Sequence, residues 1–330
     1  MKAVGLYRYL PIDHPESLLD LEVETPRASG RDLLVEVKAV SVNPVDTKRR
    51  APKDTVELTP KILGFDAAGL VKAAGPECTL FKPGDAVYYA GSVVRQGTNS
   101  ELHLVDERIV GRKPANLSFA QAAALPLTTL TAWELMFERM GISRAGAGSG
   151  ARLLVLGGAG GVGSIAIQLA KKLAHLHVTA SASRPESIAW VRELGADEVI
   201  DHSRPIEGEF DFVLCLTATD SYWKQFPVIT KPQGKIGLIV RTVKPVDLHI
   251  LHDKSITVCL EGMFTRSTFQ TADMEAQHRL LDEAAGLVEA GVLRHTMKEN
   301  LGRVCAEHLK RAHQRLEGGH AIGKVVLEGF

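Results

Sequence analysis

A glycine-rich stretch at residues 153–171, LLVLGGAGGVGSIAIQLAK, constrains the fold of this chain more than any other feature. A run of Leu and Val typical of a strand precedes the glycines, and a helical pattern of apolar residues follows them. Three of the glycines have the spacing G-x-G-x-x-G, which between a strand and a helix is typical of a dinucleotide phosphate site. The first permits a tight turn, the second lets the backbone approach a pyrophosphate, and the third lets the helix pack on the strand. We predict cofactor contacts at Gly158, Gly160, Gly161, Val162 and Gly163. The alternative is a flexible turn without a ligand.

The end of the next predicted strand indicates which dinucleotide binds. An NAD site usually has an Asp or Glu about 20 residues downstream of the loop, which binds the ribose 2′-hydroxyl. This chain has no acidic residue between Leu153 and Pro185, and the strand ends in SASRPES, with Ser183 and Arg184. A guanidinium can pair with a 2′-phosphate, whereas a carboxylate would repel it. The sequence therefore predicts NADP(H). In the alternative, Arg184 is a solvated residue at a helix start.

The elements around this loop predict two domains in the 330 residues. A helix is predicted over TTLTAWELMFERM, and a Gly-rich break follows at residues 144–151. Beyond this break, predicted strands and helices alternate, which is typical of a parallel sheet with helices on both faces. Residues 1–115 contain short strands separated by Gly and Pro, which indicates a β-barrel or sandwich. The tail contains two amphipathic helices and a strand that do not continue the alternation. We therefore predict one domain of residues 1–125 and 271–330, and an inserted domain of residues 126–270.

The composition argues against several classes of partner. Lys plus Arg and Asp plus Glu both number 39, and this balance argues against a nucleic-acid or membrane-surface binder. No apolar run is long enough to span a membrane, and the N-terminus lacks the apolar core of a signal peptide. The four cysteines lie far apart and form neither a disulfide framework nor a CxxC motif. A cytoplasmic protein with a small-molecule partner is the simplest interpretation.

With this order of parts, the chain resembles the medium-chain dehydrogenase/reductase superfamily over essentially its whole length. The resemblance is carried by VNPVDTKRR, ILGFDAAG, FKPGDAVY, LPLTTLTAWE, GGAGGVGSIAIQLAK, ELGADEVID and GKVVL. Within the superfamily it is most similar to the quinone oxidoreductase branch, particularly the zinc-type alcohol dehydrogenase-like proteins. The resemblance implies an α/β chain with a GroES-like β-barrel catalytic domain and an inserted Rossmann domain with a doubly wound parallel sheet. It also implies a homodimer, paired through the last strand of the Rossmann sheet.

The resemblance also shows where this chain departs from the zinc-containing members. They place a Cys where this chain has Asn43 and a His where it has Phe65, and their third ligand falls near Ala124. A catalytic zinc needs about three N, S or O ligands, and Phe cannot supply one. The region that corresponds to their structural zinc, GSVVRQGTNSE, contains no cysteine. We therefore predict no metal and a reaction that proceeds without a Lewis acid.

Further site residues follow from the resemblance. Asn43 is the candidate to bind the substrate oxygen through its NH₂ group, or else it only shapes the turn before Pro44. Asp46 is expected to bond local backbone N–H groups. The substrate pocket is expected to include Phe65, Met263 and Phe264. The remaining cofactor contacts are expected at Thr128, Thr217, Val240, His202 and Lys324, the last at the 2′-phosphate. For these five, simple packing or solvation is the alternative.

Together these features predict an NADPH-dependent, zinc-independent oxidoreductase that transfers hydride to quinones or α,β-unsaturated carbonyl compounds. Such acceptors delocalise the incoming charge over conjugation, so that weaker hydrogen-bond donors suffice to stabilise it. Two alternatives remain open: a zinc-dependent alcohol dehydrogenase, and a non-catalytic NADPH-binding structural or regulatory protein.

Overall fold

A computed structural model describes residues 1–144 and 150–330 of the chain. The chain divides into two units. The first combines Met1–Leu127 with Phe264–Phe330, and the second is Thr128–Met263. The second unit ends at Met263, seven residues before the predicted end of the inserted domain at residue 270. The segment that follows Met263 makes its contacts within the first unit. The glycine-rich break expected at residues 144–151 lies largely outside the described residues.

Strands and helices follow one another along the described parts of the chain. The strands are β1 Lys2–Tyr9, β2 Leu19–Glu22, β3 Asp32–Val42, β4 Lys53–Ile62, β5 Asp66–Ala74, β6 Ala86–Tyr89, β7 Leu102–Asp106, β8 Val110–Arg112, β9 Arg152–Leu156, β10 His177–Ser181, β11 Glu198–Ile200, β12 Phe210–Cys215, β13 Thr230–Leu238, β14 Thr257–Leu260, β15 Met297–Asn300 and β16 Lys324–Glu328. The α-helices are α1 Pro44–Arg50, α2 Phe119–Ala123, α3 Pro126–Trp133, α4 Gly161–Lys172, α5 Pro185–Glu193, α6 Thr219–Tyr222, α7 Phe226–Ile229, α8 Thr265–Phe269, α9 Ala276–Glu289 and α10 Ala306–Glu317.

The first unit is built on β-sheets, as the sequence predicted. A three-stranded sheet has the order β2-β1-β4, and a larger sheet has the order β15-β16-β3-β5-β6-β8, with β7 also paired to β3. Strand β3 alternates buried and half-buried residues along its first half, which turns one face of the sheet towards the apolar core. The last strand, β16, pairs antiparallel with β3 and brings Val325 opposite Val42. The tail therefore completes the first unit, as expected.

The second unit contains a six-stranded sheet whose strands are all parallel. Its order is β11-β10-β9-β12-β13-β14. Numbered from the first strand of the unit, this is 3-2-1-4-5-6, the order of a dinucleotide-binding sheet. The chain reverses direction across the sheet between β9 and β12, and ligands in such sheets bind at the carboxyl ends of the strands near this point. The predicted Rossmann-type domain is confirmed.

Some helix ends have recognisable sequence signals, whereas one predicted helix is not regular along its length. The capping box of Ser118 and Gln121 is present, since each side chain accepts a hydrogen bond from the backbone N–H of the other. Helix α5 begins at Pro185 and ends at Glu193, two residues before Gly195. The helix predicted over TTLTAWELMFERM instead changes character within its length: α3 gives way to a π-helical segment, Glu134–Arg139. Among the described residues, no helix has the length and hydropathy to cross a membrane.

Candidate active site

The carboxyl ends of the parallel strands in the second unit gather most of the predicted cofactor residues. The glycine loop follows β9, and four other predicted residues each come one or two positions after a strand: Ser183 after β10, His202 after β11, Thr217 after β12 and Val240 after β13. Because all these strands are parallel, their carboxyl ends lie at one edge of the sheet. His202 is exposed, whereas Thr217 and Val240 are half-buried. The structure brings these residues to the same edge, and their contacts with a cofactor stay a prediction.

The glycine loop has two kinds of glycine. A Cβ atom on Gly163 would lie 2.5 Å from the carbonyl oxygen of Gly157, so the packing of helix α4 on the loop requires glycine there. On Gly160, the nearest protein atom to a Cβ would be 3.5 Å away, which is ordinary contact. Protein packing therefore does not explain the glycine at Gly160. Gly160 is the N-cap of α4, and a helix start with open space beside it suits an approaching phosphate.

Arg184 lies at the start of the helix that follows the second strand of the sheet. It is the N-cap of α5, and its backbone N–H donates to Ser187 Oγ at 3.1 Å. The position places a guanidinium at the carboxyl end of β10, where an NAD site has its carboxylate. The nearest acid along the chain, Glu186, is exposed in the first turn of α5. Contact of Arg184 with a 2′-phosphate stays a prediction.

A buried polar cluster lies in the first unit where β3, β5 and β16 meet. Lys324 Nζ donates to three oxygens: Asn43 Oδ1, the carbonyl oxygen of Val42 at 3.0 Å and Asp66 Oδ2 at 3.1 Å. Asn43 Nδ2 donates to the same Asp66 oxygen at 2.8 Å. The other oxygen of Asp66 accepts the backbone N–H of Leu127 at 2.7 Å. The Lys324 and Asp66 side chains are 3% and 0% exposed, so this ion pair is shielded from solvent.

Burial controls the ionisation of the acids in this cluster. It raises the pKa of Asp66, although the Lys324 charge and the hydrogen bond from Asn43 act in the opposite direction. Burial also raises the pKa of Asp46 to about 7, against the hydrogen bond from the Asn43 backbone. That hydrogen bond, Asn43 N–H to Asp46 Oδ2 at 2.7 Å, confirms the expectation that Asp46 binds local backbone. Asp46 Oδ1 is buried and accepts no hydrogen bond from the described residues.

This cluster corrects two expectations. Asn43 was expected near the substrate and Lys324 near the 2′-phosphate, at opposite ends of a dinucleotide, yet their side chains are hydrogen-bonded to each other. A lysine has three donors, and all three of Lys324 are used inside the protein, which leaves none for a phosphate. The Asn43 NH₂ group is directed to Asp66 and, at 3.3 Å, to the carbonyl oxygen of Ser41. A substrate oxygen could bind this group only by displacing Ser41.

Two residues of the expected substrate pocket are in contact. The rings of Phe65 and Phe264 have centroids 5.0 Å apart at an angle of 57°, a favourable aromatic arrangement. Phe65 is buried and Phe264 is half-buried, so the pair presents an apolar surface at Phe264. Met263 and Thr128 belong to the second unit and are both buried. Their contacts with substrate and nicotinamide stay predictions.

The residues at the zinc positions of the related enzymes do not fit a catalytic zinc. Asn43 Oδ1 and Asp66 Oδ2 already share the Lys324 ammonium, while Phe65 and Ala124 have no ligand atom in their side chains. A cationic ammonium at this place also repels a second cation. Within residues 1–144 and 150–330, no group of three or more His, Cys, Asp and Glu side chains is arranged to hold a metal ion.

Sequence reasoning missed a second acidic cluster, in the second unit. Glu261 follows β14, and its Oε2 accepts a hydrogen bond from Arg139 Nε at 3.1 Å. Burial raises the pKa of Glu261 to about 8, and the negative charge of Glu134 adds to the rise. Both Glu134 and Arg139 come from the π-helical segment. Nothing in the spacing of these residues along the chain indicates that they meet.

Comparison with known proteins finds families and relatives that match both units of the chain. The family model of the alcohol dehydrogenase GroES-like domain matches residues 29–132, and that of the zinc-binding dehydrogenase matches residues 194–327. A zinc-type alcohol dehydrogenase-like protein of Staphylococcus epidermidis is 39% identical over 99% of both chains. A 2-methylene-furan-3-one reductase of Solanum lycopersicum is 32% identical over 94% of this chain and 74% of its own. A crystal structure from Rhizobium etli CFN 42, assigned provisionally as a zinc-dependent alcohol dehydrogenase, is 49% identical, covers 100% of this chain and 98% of its own, and has a TM-score of 0.95.

These matches agree with the fold and with the dinucleotide-binding order of the six-stranded sheet. The relative from Staphylococcus epidermidis extends over both units, so the likeness is not confined to one domain. The chain therefore belongs to the zinc-type alcohol dehydrogenase-like proteins of the medium-chain dehydrogenase/reductase superfamily, a family of oxidoreductases with a nicotinamide cofactor domain.

Proposed function

We propose that this protein is an NADP(H)-dependent reductase that transfers a hydride to quinones or α,β-unsaturated carbonyl compounds without a catalytic zinc. One observation carries the proposal: the Lys324 ammonium is bound to Asn43 and Asp66 beside Phe65, at the place where the zinc enzymes have metal ligands. The small-molecule electron acceptor must then be reactive without a Lewis acid.

The chemistry of the acceptor follows from the residues that replace the metal ligands. NADPH supplies the hydride when it is bound. Carbon atoms conjugated to a carbonyl accept a hydride more readily than an isolated carbonyl, because the negative charge is spread over the conjugated system. The apolar surface of Phe65 and Phe264 suits a flat, conjugated acceptor. The Solanum lycopersicum relative is a reductase of 2-methylene-furan-3-one, itself an α,β-unsaturated ketone, which supports this substrate class.

The preference for NADP(H) rests on Arg184. We expect Arg184→Ala to raise the KM for NADPH by roughly 10-fold or more, the effect of losing a hydrogen-bonded charge pair, with little change in the KM for NADH. The matched control is Arg192→Ala, at an exposed position in the last turn of the same helix α5, which should change neither. Equal effects of Arg184→Ala on both cofactors would show that this side chain does not bind the 2′-phosphate.

Steady-state oxidation of NADPH and NADH by the purified protein tests the proposed activity. The acceptor panel should contain quinones, α,β-unsaturated ketones, and simple aldehydes and ketones. We expect turnover with NADPH on the first two groups. Metal content should be measured on the same sample, because one tightly bound zinc per chain, lost together with activity, would support an alcohol dehydrogenase instead. Tight NADPH binding without turnover on any acceptor would support a non-catalytic role.

We further propose that the protein is a cytoplasmic homodimer. Strand β14 is the last strand of the six-stranded sheet, and Leu260 at its end is 70% exposed. An apolar edge strand of this kind can pair with a second copy of itself. All four cysteines are free thiols, which is compatible with a reducing compartment.

A further inference from the structure

The Lys324 ammonium lies in a cradle of three oxygens from separate parts of the first unit. The carbonyl oxygen of Val42 comes from the end of β3, Asn43 Oδ1 from the start of α1, and Asp66 Oδ2 from the start of β5. The lysine itself comes from β16, 258 residues after Asp66. The three donors of an ammonium match these three acceptors one to one.

We propose that these three oxygens form a cation site that Lys324 fills with a tethered ammonium, and that this site binds a free primary ammonium ion once the lysine amine is removed. The inference rests on the same Lys324 contacts that carry the proposed function. Occupancy of the site by a cation is measured as a melting temperature, so it can be tested whether or not the protein reduces quinones or α,β-unsaturated carbonyl compounds.

The cradle is held by contacts other than those of Lys324. Asn43 Nδ2 donates to Asp66 and to the Ser41 carbonyl oxygen, which keeps Asn43 Oδ1 turned towards the ammonium. Asp66 is fixed through its other oxygen by the backbone N–H of Leu127 at 2.7 Å. Because these bonds do not involve the lysine, the oxygens should remain nearly in place after its truncation.

The charge of the cradle favours a cation over water. Asp66 supplies a negative charge that is 0% exposed, and Lys324 is its ion-pair partner at 3.1 Å. Removing one partner of a buried ion pair leaves an uncompensated charge and is strongly destabilising. A small cation with N–H donors that enters the site should restore both the charge balance and the hydrogen bonds. A cation without N–H donors should not.

The ammonium also orients its neighbours in the cluster. It fixes which end of the Asn43 amide faces the cluster. Through Asp66 it is connected to Leu127, in the first turn of helix α3. Thr128, the expected nicotinamide contact, is the next residue in the chain. Loss of the cation should therefore disturb the start of α3 as well as the cluster.

The test is chemical rescue of Lys324→Ala. We expect this variant to melt about 5–10 °C below the wild-type protein, as for a broken buried ion pair. Propylammonium should raise the melting temperature of the variant towards that of the wild type, and methylammonium should do so less, because it leaves the space of the lysine methylenes empty. Binding to the folded state is what produces such a rise. Tetramethylammonium at the same ionic strength should have no effect.

The control is Lys48→Ala, which removes an exposed lysine on α1. Propylammonium and methylammonium should affect the melting temperature of Lys48→Ala no more than they affect that of the wild type. The proposal is overturned if no amine raises the melting temperature of Lys324→Ala, or if tetramethylammonium raises it equally.

A second pair of variants covers the case in which Lys324→Ala does not fold. Lys324→Met keeps most of the side-chain volume, and Lys324→Met combined with Asp66→Asn also removes the unpaired charge. We expect the double variant to melt above the single Lys324→Met variant. A double variant that melts below Lys324→Met would show that Asp66 and Lys324 do not act as a charge pair.

Discussion

Asp46 shows how one buried side chain can make the stability of the first unit depend on pH. Its carboxyl group is buried, one oxygen accepts the Asn43 N–H, and the other accepts no hydrogen bond within the described parts of the chain. The charged groups that act on it are Lys324, which favours the ionised form, and Asp66, which disfavours it. Burial is the largest effect and raises the pKa from 3.8 to about 7. Between about pH 4 and about pH 7, the Asp46 carboxyl therefore holds a proton in the folded protein that it releases in the unfolded chain.

We predict that Asp46→Asn flattens this pH dependence. An acid with a higher pKa in the folded than in the unfolded chain lowers the free energy of unfolding as pH rises from about 4 to about 7. An amide does not titrate. Relative to the wild type, the free energy of unfolding of the variant should therefore increase by about 1–3 kcal/mol between pH 5 and pH 8. Urea unfolding at several pH values measures this difference.

The control for this prediction is Asp13→Asn, at an exposed position in the same unit. Its unfolding curves should follow those of the wild type at every pH. If the curves of Asp46→Asn also run parallel to the wild type, the buried carboxyl does not hold a proton in the folded state.

At the residue scale, the sequence could predict a residue's place in the fold where the signal was local, while the cofactor contacts of these residues stay predictions. The glycines, Ser183 and Arg184 lie beside elements that the sequence predicts, so their place at the carboxyl ends of strands follows directly. The cluster of Asn43, Asp66 and Lys324 could not be predicted. It depends on the register of β16 against β3, where Val325 faces Val42, and register is decided by packing across the whole sheet.

At the scale of elements, two glycines in the turn from β9 into α4 differ in how tightly the protein packs around them. Gly163 packs tightly on the loop, because a Cβ atom would lie 2.5 and 2.6 Å from two carbonyl oxygens of the loop. Gly160 has ordinary extended backbone, with φ at −73°, and room for a Cβ atom. The same motif therefore contains one glycine required by the fold and one that the fold does not require.

We predict that the two alanine variants behave differently. Gly163→Ala should lower the free energy of unfolding by about 1–3 kcal/mol, because the helix must shift away from the loop. Gly160→Ala should unfold like the wild type but bind NADPH about 10-fold more weakly or worse, since the new methyl group stands where the phosphate approaches. Thermal unfolding and titration of NADPH fluorescence measure the two effects. Unchanged NADPH binding by Gly160→Ala would contradict a phosphate site at this loop.

Two segments of the second unit are hard to predict from the sequence, and each difficulty has a physical cause. The segment at residues 219–230 contains only short helical turns: α6, a 3₁₀ turn at Trp223–Gln225, and α7 with Pro227 in its first turn. No regular apolar period can develop over such short pieces. The π-helical segment after α3 places Glu134 and Arg139 near Glu261, a tertiary contact to which hydrophobic periodicity is insensitive.

At the scale of the whole molecule, the order of elements was the most informative part of the sequence. Alternation of strands and helices predicted the parallel sheet, and its interruption predicted the return of the tail. The boundary after Met263 was less accurate, because it depends on side chains. Phe264 packs on Phe65, and Arg266 binds Asp273 at 2.8 Å, which draws α8 into the first unit.

Assembly is the remaining prediction at this scale. Light scattering after size exclusion should give the mass of a dimer, because edge strand β14 can continue its sheet into a second copy by a two-fold axis. Leu260→Glu should then give a monomer, since two carboxylates would approach across the axis. The matched control is Leu58→Glu, at a fully exposed position on β4 of the first unit, which should remain a dimer. A wild-type monomer, or a dimer that survives Leu260→Glu unchanged, would mean that β14 is not the interface.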